Sequence, residues 1–128
     1  MTYHFSRKLD LRFDDAIARV TGLLAEQGFG VLTSIDVKAT LKKKIGADFR
    51  PYTILGACNP NFAHRALQEE DKIGTMLPCN VVVQAGEDGG VEVSAVDPAA
   101  SMAAVDNAAL GEIAGEVRDR LRQVIEAL

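Results

Sequence analysis

Residues 52–60 read Tyr52-Thr53-Ile54-Leu55-Gly56-Ala57-Cys58-Asn59-Pro60. The first seven are apolar or β-branched, which predicts a strand, and successive rather than alternating apolar positions predict cover on both of its faces. Asn59 then suits a helix N-cap and Pro60 the first helical position, so the strand passes directly into a helix that continues through Phe62, Ala66 and Leu67.

Upstream of this junction, Asp36 caps a short helix that carries Val37, Leu41 and Ile45 and ends at Gly46. Before it, 29–35 is a strand by its β-branched and apolar content. Asp14 is the expected N-cap of an earlier helix. Phe13, Ile17, Val20 and Leu24 step by three or four residues along it, and Gly28 closes it in a left-handed conformation. The chain opens with a short strand over 3–7, with Tyr3, Phe5 and Arg7 on one face.

Downstream, Pro78 introduces a buried strand over 79–84. Glu87-Asp88-Gly89-Gly90 forms a turn, and 91–96 returns as the hairpin partner. Asp97-Pro98 ends that strand, and 99–104 is a short helix or a loop. Asn107 caps a final helix whose Leu110, Ile113, Ala114, Val117, Leu121, Val124 and Leu128 make one apolar stripe. Glu116 and Arg120 stand at i,i+4 on it, the spacing of an intrahelical ion pair. No repeat or linker interrupts the order strand, helix, strand, short helix, strand, helix, strand, strand, long helix. Five short strands need a helical layer to cover one sheet face, so the prediction is a single α+β domain over 1–128 with helices mainly on one side.

The segment from Asp36 to Lys42, the run Asp48-Phe49-Arg50-Pro51 leading into residues 52–60, His64-Arg65-Ala66-Leu67 and Leu77-Pro78-Cys79-Asn80-Val81 together resemble the signature of the domain-of-unknown-function 302 family. The likeness extends over essentially the whole chain, with Phe62 where a Leu is more usual. It implies a TATA-binding-protein-like plan of strand, helix, four strands and helix, and a homodimer. It implies no activity. The fold name is not a statement about DNA, because function resides in sites and not in folds.

Composition narrows the classes further. With 14 basic and 18 acidic residues the net charge is −4, which disfavours a protein that grips phosphate backbones. Five Phe, two Tyr and no Trp make a poor stacking platform for single strands. Nucleic acid is therefore not an expected partner. No apolar run approaches the ~20 residues that span a bilayer, the first residues lack a signal-peptide core, and two cysteines do not make a disulfide scaffold. The cytoplasm is the expected compartment.

The candidate site is the junction at Cys58. A helix N-terminus favours an anion or a thiolate, and His64, one turn into the helix, leans back toward it. Cys79 opens the next strand and lies beside Cys58 if those strands are neighbours. Cys58, Asn59, His64, Arg65 and Cys79 are thus candidate ligand-binding residues, with Cys58, His64 and Cys79 the candidate ligands of a divalent metal. Against this, the spacing Cys-x5-His-x14-Cys fits no familiar zinc pattern and leaves a coordination position open, and free cysteines most often pack as small hydrophobes.

The favoured reading is a homodimeric binding protein for a metal or small anion. A thiol enzyme with Cys58 as nucleophile and His64 as base is the alternative, and a pure interaction scaffold the third. Arg50 and Arg65 are placed to reach an anion at the same helix end. Lys38 and Lys42-Lys43-Lys44 make a basic helix face, ordinarily a solvated one. His4 lies in the opening strand with no nearby partner in sequence, Ser34 and Ser94 sit in strands without an obvious base, and nothing in the sequence resembles a phosphate loop or a nucleophile elbow.

Overall fold

The computed structural model describes residues 2–128. Its elements in chain order are β1 (His4–Leu9), α1 (Phe13–Glu26), β2 (Gly30–Asp36), α2 (Val37–Ile45), β3 (Tyr52–Cys58), α3 (Pro60–Glu69), a 3-10 turn (Ile73–Met76), β4 (Cys79–Ala85), β5 (Val91–Val96), α4 (Pro98–Ser101) and α5 (Ala108–Ala127). The five strands form one sheet in the order β1-β5-β4-β3-β2, with every pairing antiparallel. The α+β plan of the sequence is the plan of the structure.

Strand periodicity assigns the two faces. Ala57 pairs with Cys79, Leu55 with Val81, Val81 with Ala95 and Val83 with Val93, so these side chains share one face. All of them are buried in one core together with Val20 and Leu24 of α1 and Leu110, Val117, Leu121 and Val124 of α5. Each fully buried Val, Leu or Ile contributes about 1.5–3 kcal/mol, and this shared layer holds the long helices to the sheet. α3 packs on α5, tied by the half-exposed Arg65–Glu116 ion pair at 3.0 Å.

On the opposite face, Tyr52, Ile54, Val82, Ser94 and Val96 are only half-buried. Cover on both faces of β3, expected from its continuous apolar run, is not found. Only the helix-facing positions of β3 are uniformly buried, because α1 and α5 lie on that side alone. The apolar character of Tyr52 and Ile54 therefore faces outward.

Several ends differ from the sequence reading. β1 runs over His4–Leu9 rather than 3–7, and β2 over Gly30–Asp36. α1 begins at Phe13 with Arg12 at the N-cap, so Asp14 is not the cap; it lies with Asp15 in the first turn. Phe13 packs against the core, which draws it into the helix and leaves the two carboxylates to complement the helix dipole. Glu116 pairs with Arg65 and Arg120 donates to the Gln27 carbonyl at 3.1 Å, so the expected intrahelical pair gives way to tertiary partners. Asp36 and Asn107 do cap, accepting from Ala39 and Ala109 backbone N–H groups, and Asp97, read in the sequence only as a strand end, caps α4 by accepting from the Ala99 N–H.

Candidate functional site

The Cys58 junction forms as the sequence suggested, but its side chains divide. Cys58 is half-buried at the end of β3, and Cys79 lies in the core. Cys58 and Cys79 both line a small apolar cleft of about 30 Å³ between the sheet end, α3 and α5, together with Asn59 and Phe62. That volume has room for about two water molecules. Burial, with Cys58 nearby, pushes the Cys79 thiol up from 9.0 to about 11, the opposite of thiolate activation.

His64 is exposed and does not border that cleft. Arg65 is engaged by Glu116, and Arg50 donates from Nε and a terminal nitrogen to Oε1 of Gln84 at 3.1 and 2.8 Å. The two arginines that the sequence placed near an anion are thus committed elsewhere. Asn59 is the N-cap by position, yet its side chain makes no capping bond; Nδ2 reaches back to the Gln27 carbonyl at 3.4 Å. Among the described residues, no group of three or more His, Cys, Asp and Glu side chains is placed to hold a metal ion.

A second arrangement was not legible in the sequence. On the face without long helices, cross-strand pairing lays out rows of side chains. Lys8 pairs with Glu92, Glu92 with Gln84 and Gln84 with Tyr52. In the adjoining row Ser6 pairs with Ser94, Ser94 with Val82 and Val82 with Ile54. The Ser6 and Ser94 hydroxyls share a hydrogen bond of 2.7 Å, and Nδ1 of His4 lies 2.7 Å from the Ser6 hydroxyl. His4, a strand residue with no evident partner in sequence, and Ser94, ninety positions away in the chain, thus belong to one hydrogen-bonded chain. Only the β1–β5 register could reveal it.

This face holds a cavity of about 320 Å³. Val82 and Val96 supply apolar surface, Tyr3 and Tyr52 aromatic flanks, and Gln84, Glu92 and Ser94 polar groups. A larger cleft of about 890 Å³ adjoins it at the β4–β5 turn and shares Gln84 and Glu92. Concave, partly apolar surface with a few convergent polar groups is the usual form of a small-molecule site.

A five-stranded antiparallel sheet backed by helices on one face, with a cavity on the other, defines an α+β protein with an open sheet face. The family described as Domain of unknown function DUF302 matches residues 5–128, and the chain belongs to it. The crystal structure of an uncharacterized conserved DUF302 protein from Bacillus stearothermophilus is similar at a TM-score of 0.91 and 31% identity, covering 98% of each chain. No curated protein shows significant sequence similarity to the chain. No helix is long and apolar enough to cross a membrane among the described residues.

Proposed function

We propose that this protein binds a small ligand on the open face of its sheet. The observation that supports this reading is the 320 Å³ cavity, in which Gln84, Glu92 and Ser94 converge beside Tyr52 over apolar surface. The Cys58–Cys79 cleft, at about 30 Å³, is the weaker candidate for the same role. It admits no organic ligand without repacking, and its core thiol resists ionisation. The thiol-enzyme reading is weaker again, because the imidazole of His64 does not border the cleft.

Chemical-shift mapping with a panel of small aromatic and polar fragments tests the proposal. Saturable shifts centred on Val82, Ser94 and Tyr52 are expected, abolished by Val82→Trp, which fills the cavity, and unchanged by Cys58→Ser. Shifts centred instead on Cys58 and Asn59 overturn it in favour of the junction.

The homodimer implied by the family resemblance is proposed to form through β2. This strand is a sheet edge with no partner on its outer side among the described residues, and such an edge can pair with its own copy about a twofold axis. A bulge between Val31 and Thr33 leaves Leu32 68% exposed, and Ile35 is 47% exposed. Light scattering is expected to give twice the chain mass, reduced to one chain by Leu32→Glu with Ile35→Glu. A wild-type chain that scatters as a monomer at all concentrations refutes the assembly.

A further inference from the structure

We infer that the ligand of the open-face cavity is a flat nitrogen heterocycle presenting an amino donor beside a ring-nitrogen acceptor, the edge offered by an aminopyrimidine or an aminopurine. This rests on the open-face reading and specifies its chemistry. The central feature is the cross-strand pair Gln84 and Glu92, which are direct partners between β4 and β5. Side chains at such positions leave the sheet about 5 Å apart on one face.

The two groups have opposite hydrogen-bonding character, and the orientation of one is decided by its neighbour. Arg50 donates twice to Oε1 of Gln84. A guanidinium has no acceptor, so the amide oxygen must face Arg50, and the amide nitrogen is left with two hydrogens to donate. Glu92, when ionised, only accepts. Among the described residues its carboxylate takes part in no hydrogen bond or ion pair. The pair therefore presents one fixed donor beside one open acceptor, complementary to a ligand edge carrying an acceptor beside a donor.

The rest of the lining agrees with a flat and uncharged or weakly basic ligand. Val82 and Val96 lie between Tyr52 and Tyr3 on this face, where a planar ring finds apolar contact beneath and aromatic contact at its sides. Glu92 is the one carboxylate on the lining, His4 is its one other titratable group besides the two tyrosines, and no Lys or Arg borders it. An anionic ligand would meet the like charge of Glu92 inside the lining, whereas Lys8, its cross-strand partner, and Arg50, bonded to Gln84, border only the adjoining cleft.

The test is titration of the full chain with 2-aminopyrimidine and adenine, set against pyrimidine (acceptor only), aniline (donor only) and benzoate (anion). Binding is read by chemical shifts of Val82 and Ser94. Both amino heterocycles are expected to bind at least about tenfold more tightly than any of the three controls. Gln84→Glu, which keeps an acceptor for Arg50 but removes the donor, and Glu92→Gln, which preserves shape, are each expected to weaken binding about tenfold. Preference for benzoate, or amino-heterocycle binding indifferent to both substitutions, overturns the inference while leaving the cavity as a binding site. Absence of any saturable shift on this face with all five compounds overturns the binding proposal itself. Unchanged backbone spectra of both variants separate loss of contact from loss of fold.

Discussion

Asn59 stands directly over Gly28. The backbone of Gly28 has φ 85°, and a Cβ built there would lie 2.9 Å from Nδ2 of Asn59. The same nitrogen donates to the carbonyl of Gln27. Gly28 ends α1 in a Schellman arrangement, its N–H bonding to the Ala25 carbonyl and that of Phe29 to the Leu24 carbonyl. The start of α3 and the end of α1 are thus joined by one buried amide. The side chain that the sequence offered as a ligand group makes this structural contact.

Gly28→Ala is accordingly expected to destabilise the fold by about 2 kcal/mol, combining left-handed strain with displacement of Asn59. Asn59→Ala should cost about 1 kcal/mol through the lost bond. Urea unfolding of the two single variants and the double variant checks this. The double-variant cost should fall short of the sum, because removing the Asn59 amide makes room for the new methyl group.

The thiol of Cys79 predicts a pH dependence. With its pKa raised by burial from 9.0 to about 11, the folded chain holds a proton that the unfolded chain has released between those values. Stability is therefore undiminished below pH 9 and declines as pH rises toward 11, by about 2–3 kcal/mol from this group. Cys79→Ala should flatten that part of the stability curve relative to wild type. Alkylation followed by mass spectrometry should modify Cys58 well before Cys79.

Asp97 connects β5 to both helices that follow it. One carboxylate oxygen accepts from the Ala99 N–H at 3.0 Å and the other from Nε of Arg118 at 3.1 Å, largely out of solvent. Asp97→Ala removes a cap and strands a partly buried guanidinium, at an expected cost of about 2–3 kcal/mol. Asp97→Asn retains the cap and should cost roughly half as much. Thermal unfolding of the two variants separates the contributions.

Gly56 lies where Thr33 of β2 and Pro78 close over β3. A Cβ on it would meet the Thr33 hydroxyl oxygen and approach Cγ of Pro78 to 2.8 Å. Gly56→Ala is expected to destabilise by about 1–3 kcal/mol, the range of overpacking. Adding Thr33→Ser leaves the hydroxyl clash and should rescue little, whereas adding Thr33→Gly should recover part of the loss. Denaturant midpoints of the three variants measure this.

The elements themselves were legible because their signals are local. The apolar period of α5, the Asp36 and Asn107 caps, Gly28 at a helix end and the β-branched runs of β3, β4 and β5 each act over a few residues. Hydrogen bonding and packing then realise them with ends shifted by a residue or two. Asp14 does not cap α1 because a core contact from Phe13 outweighs a capping preference worth about 1 kcal/mol.

Partnership between distant residues was decided only by the tertiary structure. An apolar run says that a strand wants cover but not which face receives it, and β3 turned out to be covered by helices on one side. Nor does spacing reveal that Gln84 stands between Arg50, Glu92 and Tyr52, or that His4 reaches Ser94 through Ser6. Those neighbours are set by strand order and register across the sheet, where a shift of one residue sends every side chain to the other face. Local chemistry in the chain determines what each segment becomes; the pairing of strands determines which functional groups meet.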